Sequence, residues 1–168
     1  PNKTEEFLFK FNPVANRLVV NPVSFAPSAV GVGSTVSTIT IPNHDFKTGD
    51  AVIYVGSDPT DLLDPLLNNN VYHAIRIDKN TIRLANNSYA SNKAFPYENI
   101  LFTDNGAGTH ELSKVNPPIE IIKGNVVSIG MSHPSLSGYT LNLYSDNEFK
   151  SKFNSTGITT SGSFGDSN

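Results

Sequence analysis

Apolar and polar side chains alternate along this chain in short runs with a period of two, the spacing of half-buried β-strands. Phe7, Phe9 and Phe11 alternate with Leu8 and Lys10, and Arg17-Leu18-Val19-Val20 follows beyond Asn12-Pro13-Val14-Ala15-Asn16. That spacing predicts a hairpin, or an arm lying on a neighbouring sheet. Between Asn21 and Ser34 the residues Pro22, Pro27, Gly31 and Gly33 break the pattern, so pairing is expected to lapse there. From Thr35 to Ile41 the alternation is clear, with Val36, Thr38 and Thr40 on one face and Ser37, Ile39 and Ile41 on the other. A turn through His44, Gly49 and Asp50 leads into Ala51-Val52-Ile53-Tyr54-Val55, where Val52 and Tyr54 share a side.

Helix has one candidate. Asp58 to Leu67 carries a capping Asp58 with Pro59 at the first helical position, and Pro65 limits it to one or two turns. Val71 to Asp78 and Thr81 to Ala85 flank Lys79-Asn80 and predict a tight hairpin, with Ile75, Ile77, Ile82 and Leu84 on its buried side. Ile100 to Thr103 and Thr109 to Leu112 predict a second hairpin across a loop containing Gly106 and Gly108. After the paired Pro117-Pro118, three further runs read as strands: Ile119 to Ile122, Val126 to Ile129 and Tyr139 to Tyr144. Beyond Phe153 the chain is dominated by Ser, Thr, Gly and Asn.

The pattern therefore predicts an all-β fold of two small β-barrel or β-sandwich modules in series with an extended N-terminal β arm. Residues 1–34 form the arm and linker, 35–115 a small β-barrel-like module, and 116–168 a partial sandwich. With so few strands, that last module is expected to be completed by a partner or by further chain. The opening Pro1 reads as the start of a processed chain or of an excerpt from a longer one.

Composition narrows the function classes. Hydrophobic residues make up 38% of the 168 positions, enough for a core. The net charge of -3 and the lack of any Lys/Arg run argue against nucleic acid as a partner. With no Cys, disulfides, thiolate metal sites and Cys nucleophiles are excluded together. No apolar run is long enough for a membrane helix, so membrane insertion is not expected.

Candidate chemistry is sparse. The four histidines include no His-x-His or His-Glu-x-x-His pair, and Asp58, Asp61 and Asp64 lack the alternate oxygens, Gly and late Glu of a calcium loop. His44 and His110, with Gly49 and Asp50, read as turn-forming residues. No glycine loop cradles phosphate and no Gly-x-Ser-x-Gly occurs, so no enzyme, metal or cofactor is expected. Tyr89, Phe95 and Tyr97 on a polar loop could form a sugar-stacking platform. The sequons at Asn2, Asn86 and Asn154 carry information only in a secreted chain.

Two stretches resemble known modules. His44-Asp45-Phe46-Lys47-Thr48-Gly49-Asp50, with Val71 to Ala85 and Gly106 to Leu112, resembles a β-module of virion structural proteins of marine T4-like cyanophages, also met in giant secreted bacterial proteins. Pro118 to Ile129 followed by Ser137 to Ser145 is similar to the cupredoxin-like repeats that accompany it. Those repeats commonly carry Gly-His-Pro where this chain has Gly138-Tyr139-Thr140, and without Cys a blue-copper centre is excluded.

The resemblance implies a non-enzymatic subunit of a phage tail, baseplate or fibre, located in the virion or otherwise extracellular. It would self-associate through β edges and through an assembly arm of Phe7, Phe9 and Phe11, with copies of itself or other virion proteins as partners. The alternative is an adhesin or glycan-binding module using Tyr89, Phe95 and Tyr97 against a host-surface glycan.

Overall fold

A computed structural model of the chain describes residues 4–88, 98–115, 125–144, 150–152 and 159. The described residues are all-β, with nine strands in one mixed sheet and no α-helix. The strands are β1 (Thr4–Asn12), β2 (Arg17–Phe25), β3 (Val30–Gly31), β4 (Thr38–Thr40), β5 (Ala51–Gly56), β6 (Val71–Arg76), β7 (Thr81–Ala85), β8 (His110–Val115) and β9 (Val126–Gly130). Their order across the sheet is β3-β4-β7-β6-β5-β8-β2-β1-β9. Every neighbouring pair is antiparallel except β1 and β9, which run parallel.

Turn chemistry explains the Asn-rich composition. Asn16, Asn21, Asn43 and Asn69 take positive φ of 50, 49, 54 and 62°, a backbone region that Asn tolerates better than most side chains. Asn21 has a second effect. It lies with Pro22 where the β2–β8 register shifts between Val20 and Val23. The bulge absorbs a proline that lacks an N–H donor, and β2 continues to Phe25. The lapse in pairing expected from Asn21 onward therefore starts only after β2. Strand pairing also crosses the boundary placed near residue 34, because Val30 and Gly31 pair with Ile39 and Thr38.

At the same bulge β1 changes partner. Phe9 to Asn12 pair with Val20 to Arg17, whereas Thr4 to Leu8 pair with Val126 to Gly130. Where β1 leaves β2, the Leu8 amide donates to Asn21 Oδ1 at 3.0 Å. The described strand of the C-terminal segment, β9, thus pairs with the N-terminal strand of the same chain.

Two apolar cores result, with Ile75 and Ala85 as a separate buried pair. The larger takes Phe25, Ile39, Val52, Tyr54, Ala74, Ile82, Leu84 and Leu112 from the strands, and loops add Phe46, Leu63, Leu66, Ile100 and Phe102. The smaller is built on Phe9, Val20 and Leu136, flanked by Phe7, Phe11, Leu18, Ile129, Met131 and Leu141.

Four local expectations are corrected. Tyr139 to Tyr144 forms no strand, only an isolated bridge from Tyr144 to Lys152. Residues 58–67 form two successive turns: Asp61 N donates to Asp58 O and Leu66 N to Leu63 O. Asp58 does receive the Thr60 amide in a capping bond, but no helix propagates before Pro65. Residues 100–103 make no strand. They lie across the core mouth, with Ile100 N donating to Leu84 O and Phe102 N to Ser37 Oγ, so β8 pairs with β5 and β2 instead. The β6–β7 connection spans Ile77 to Asn80, four residues where two were expected. Ile75 therefore lies opposite Arg83 and is fully buried with Ala85 on the other face, Ile77 is 43% exposed, and Ala74 and Tyr72 share the core face with Ile82 and Leu84. The predicted strand at 119–122 and the paired Pro117-Pro118 lie outside the described residues.

Phe9 begins the β2 pairing next to Leu8, the last residue paired with β9, and is 6% exposed. Phe9→Ala should cost about 3–5 kcal/mol, concentrated in the smaller core. Hydrogen exchange should accelerate over residues 126–141 while β5 and β8 stay protected; uniform acceleration of both cores would show that they do not separate energetically.

Candidate functional site

His110 opens β8 and is fully buried, facing Tyr54 of β5. Its Nε2 lies 3.0 Å from Asn105 O. A carbonyl oxygen only accepts, so Nε2 carries the ring proton. Nδ1 then accepts from the Tyr54 hydroxyl at 2.8 Å, and that hydroxyl accepts the Leu63 amide at 2.9 Å. In this network the His110 ring nitrogens and the Tyr54 hydroxyl each have a partner of the right kind. Asn105 extends it, since its Nδ2 donates to Pro27 O and Val30 O at 3.1 and 3.3 Å. Gly106, at φ +60°, lets the loop approach: a Cβ there would meet His110 Cε1 at 2.9 Å and Leu63 N at 2.8 Å. Burial pushes the Tyr54 phenol above its ordinary pKa, with Asp104 and Asp61 adding to the effect and the Leu63 amide opposing it. The phenol therefore stays protonated at neutral pH.

The turn before β5 is fastened differently. Gly49 has φ +96°, and Asp50 Oδ2 accepts the Lys47 amide at 2.9 Å. Lys114 of β8 reaches across the core face to Asp45 and Asp50 at 3.1 and 3.4 Å, its ammonium 5.9 Å from the Phe46 ring centre. Asp45 is exposed, so solvent discounts that ion pair; the contact positions the turn more than it stabilises the fold. His44 makes no backbone hydrogen bond through its ring, contrary to the role expected of it. Both ring nitrogens are buried without a partner, and the ring packs 5.6 Å from Phe46. It serves the turn as a flat filler.

The Phe7, Phe9 and Phe11 face, expected to meet another copy, is turned inward. Leu136, Met131 and Leu141 of the same chain cover it, and Tyr139 stacks on Phe11 at 5.1 Å. A cavity of about 230 Å³ remains between Phe9, Phe11, Leu18 and Leu141. Phe7 and Phe11 are only partly buried, which leaves the sequence reading of an alternating apolar face intact and changes what lies against it.

Asp61, Asp64 and Asp104 line an open groove of about 320 Å³. Two of them are engaged locally: Asp104 Oδ1 accepts the Asp64 and Gly106 amides, and Asp64 accepts the Thr103 hydroxyl. Asp58 is held below the usual carboxylate range by the Thr60 hydroxyl and amide. Among the described residues no three His, Asp or Glu side chains converge as metal ligands would, and no described helix is long and apolar enough to cross a membrane. Tyr89, Phe95 and Tyr97 lie outside the described residues.

Sequence reasoning placed His110 in a turn but missed its pairing with Tyr54. The available signal was an alternating Tyr on a core face, whose hydroxyl needs a buried acceptor. It also missed Ser37, fully buried, whose Oγ receives the Phe102 amide at 2.8 Å. No family model, curated protein or solved structure matches the chain.

Two measurements check this account. Tyr54→Phe removes the donor to His110 and the acceptor for Leu63, so it should cost roughly 1–3 kcal/mol for each group left unpaired. Urea unfolding of the variant should show the loss, and a near-neutral result would refute the assigned bonds. His73 supplies the pH dependence. Burial lowers its pKa, so below about pH 6.5, where the unfolded chain takes up the proton first, stability should fall as pH falls. In His73→Leu the urea midpoint should lose that part of its slope.

Proposed function

We propose that the chain is a non-enzymatic structural module of an extracellular assembly, in the form of a phage tail, baseplate or fibre subunit that associates through sheet edges. The supporting observation is the single sheet shared by two cores, with β1 as the common strand. A sheet continuous from one core to the next resists bending between them better than two modules on a linker would. The histidine and tyrosine best placed for chemistry are tied into the packing by His110–Asn105, His110–Tyr54 and Tyr54–Leu63 bonds. The motif from His44 to Asp50, with its resemblance to virion modules, supplies the location in a particle. Self-association falls to the sheet edges, because the phenylalanine face of β1 is occupied by the chain's own residues.

Antibodies raised against the purified chain should decorate a defined appendage in electron micrographs of purified virions. Mass spectrometry of the same gradient fraction should find the chain in stoichiometric proportion to other particle proteins. Its absence from particles, with recovery in a soluble fraction, would refute this reading.

A further inference from the structure

We propose that the parallel β1–β9 pair is a mechanical clamp that bears tension along the chain in shear. This inference rests on the structural role proposed above and adds where the load is carried. Thr4 to Leu8 lie beside Val126 to Gly130 in one register of five consecutive pairs. Tension entering ahead of Thr4 draws β1 toward its own N-terminal end. Tension entering beyond Gly130 draws β9 toward its C-terminal end. Because the two strands run parallel, those directions are opposite, and the strands are asked to slide past each other. All the hydrogen bonds of the overlap then carry load together, and sliding also drags Phe7 and Ile129 through the smaller core.

Other junctions on the force path yield differently. β1 and β2 form an antiparallel hairpin whose turn is at residues 13–16 and whose open end is Phe9↔Val20. Tension reaching that open end peels the pairs one after another. Residues 131–144 follow β9 and rest on the Phe face through Leu136 and Leu141, so they too peel before β9 is loaded. The β1–β9 overlap is the described junction where tension acts on every pair at once, and once it parts β1 is held by the four hairpin pairs, which peel in turn, and by side-chain bonds such as Lys10–Glu111 and Asn12–Asn69.

Single-molecule stretching of the full chain tests this. Handles at its two ends load the pair in shear. The chain has no Cys, so handles on Thr4→Cys and Val126→Cys attach only there, at directly opposite residues, and load the same pair in peel. The rupture force is expected to be several-fold higher between the ends. Val127→Pro and Ser128→Pro provide the second measurement: successive N–H groups point to opposite sides of a strand, so one of the two removes a donor to β1. That variant should lose the high-force event in end-to-end pulling while β5–β8 remain protected from hydrogen exchange. Equal forces in the two geometries, or an undiminished event in both proline variants, would overturn the clamp. A clamp that fails leaves the particle location untouched, and a chain absent from particles leaves the force measurement standing.

Discussion

The structure depends on β1 being divided between two partners. Its first half pairs with β9 and its second half with β2, and the division point is set by Asn21 and Pro22 on the neighbouring strand. Asn21 takes positive φ and Pro22 has no N–H donor, and the hairpin ladder ends at Phe9↔Val20 beside them. Hydrogen bonds choose the partner, but they do not supply most of the free energy. A fully buried Phe contributes roughly 1.5–3 kcal/mol against a net 0.5–1.5 for a typical hydrogen bond. The alternation Phe7, Phe9, Phe11 runs unbroken across the division, so one apolar face serves both pairings.

The larger core faces another problem. Residues 57–66 and 104–108 close its end without any ladder to hold them. Apolar contact would cover the core but leave these loops free to shift, since the hydrophobic effect has no direction. The Tyr54–His110 pair provides direction. Each bond leaves a strand and ends on a loop backbone atom, Leu63 N or Asn105 O, and Asn105 passes the restraint on to Pro27 and Val30. A buried polar network of this kind holds its neighbours in place only when every member is satisfied, and here the tautomer assignment closes without a leftover donor.

How much of this was legible in the sequence follows from which forces are local. The faces of β4 and β5 were readable because alternation reports burial directly: Ile39 and Ile41 are inside, as are Val52 and Tyr54. Ile75 is buried as expected but with Ala85 on the face away from Ile82 and Leu84, since the β6–β7 register is shifted by one residue from that of a two-residue loop, and a shift of one exchanges faces. The pairing of β8 was not readable. Residues 100–103 have strand composition and lie close to it in sequence, yet a distant strand, β5, takes that place. Pro22 looked like an end to pairing, and a bulge made it a step within a strand. The candidate residues show the same limit: composition marks Phe7, Phe9 and Phe11 as an apolar face, but whether that face meets another molecule or this one is decided by residues more than a hundred positions away.

The two turn histidines make that limit concrete. His44 and His110 sit in similar local settings, beside Gly-containing turns that lead toward strands of the same sheet, and both are buried. Only His110 has partners. Its strand runs beside β5 so that Tyr54 and the 104–108 loop arrive at its two nitrogens, whereas His44 sits ahead of β5 and meets the Phe46 ring. An unpaired buried polar group costs roughly 1–3 kcal/mol, so His44 occupies its place at a penalty that His110 avoids. The difference arises from which strand lies opposite, not from the residue or its turn. A histidine in a β-rich chain therefore becomes a candidate for chemistry only after its cross-strand neighbour is known, and in this chain that neighbour turns His110 into a fastener.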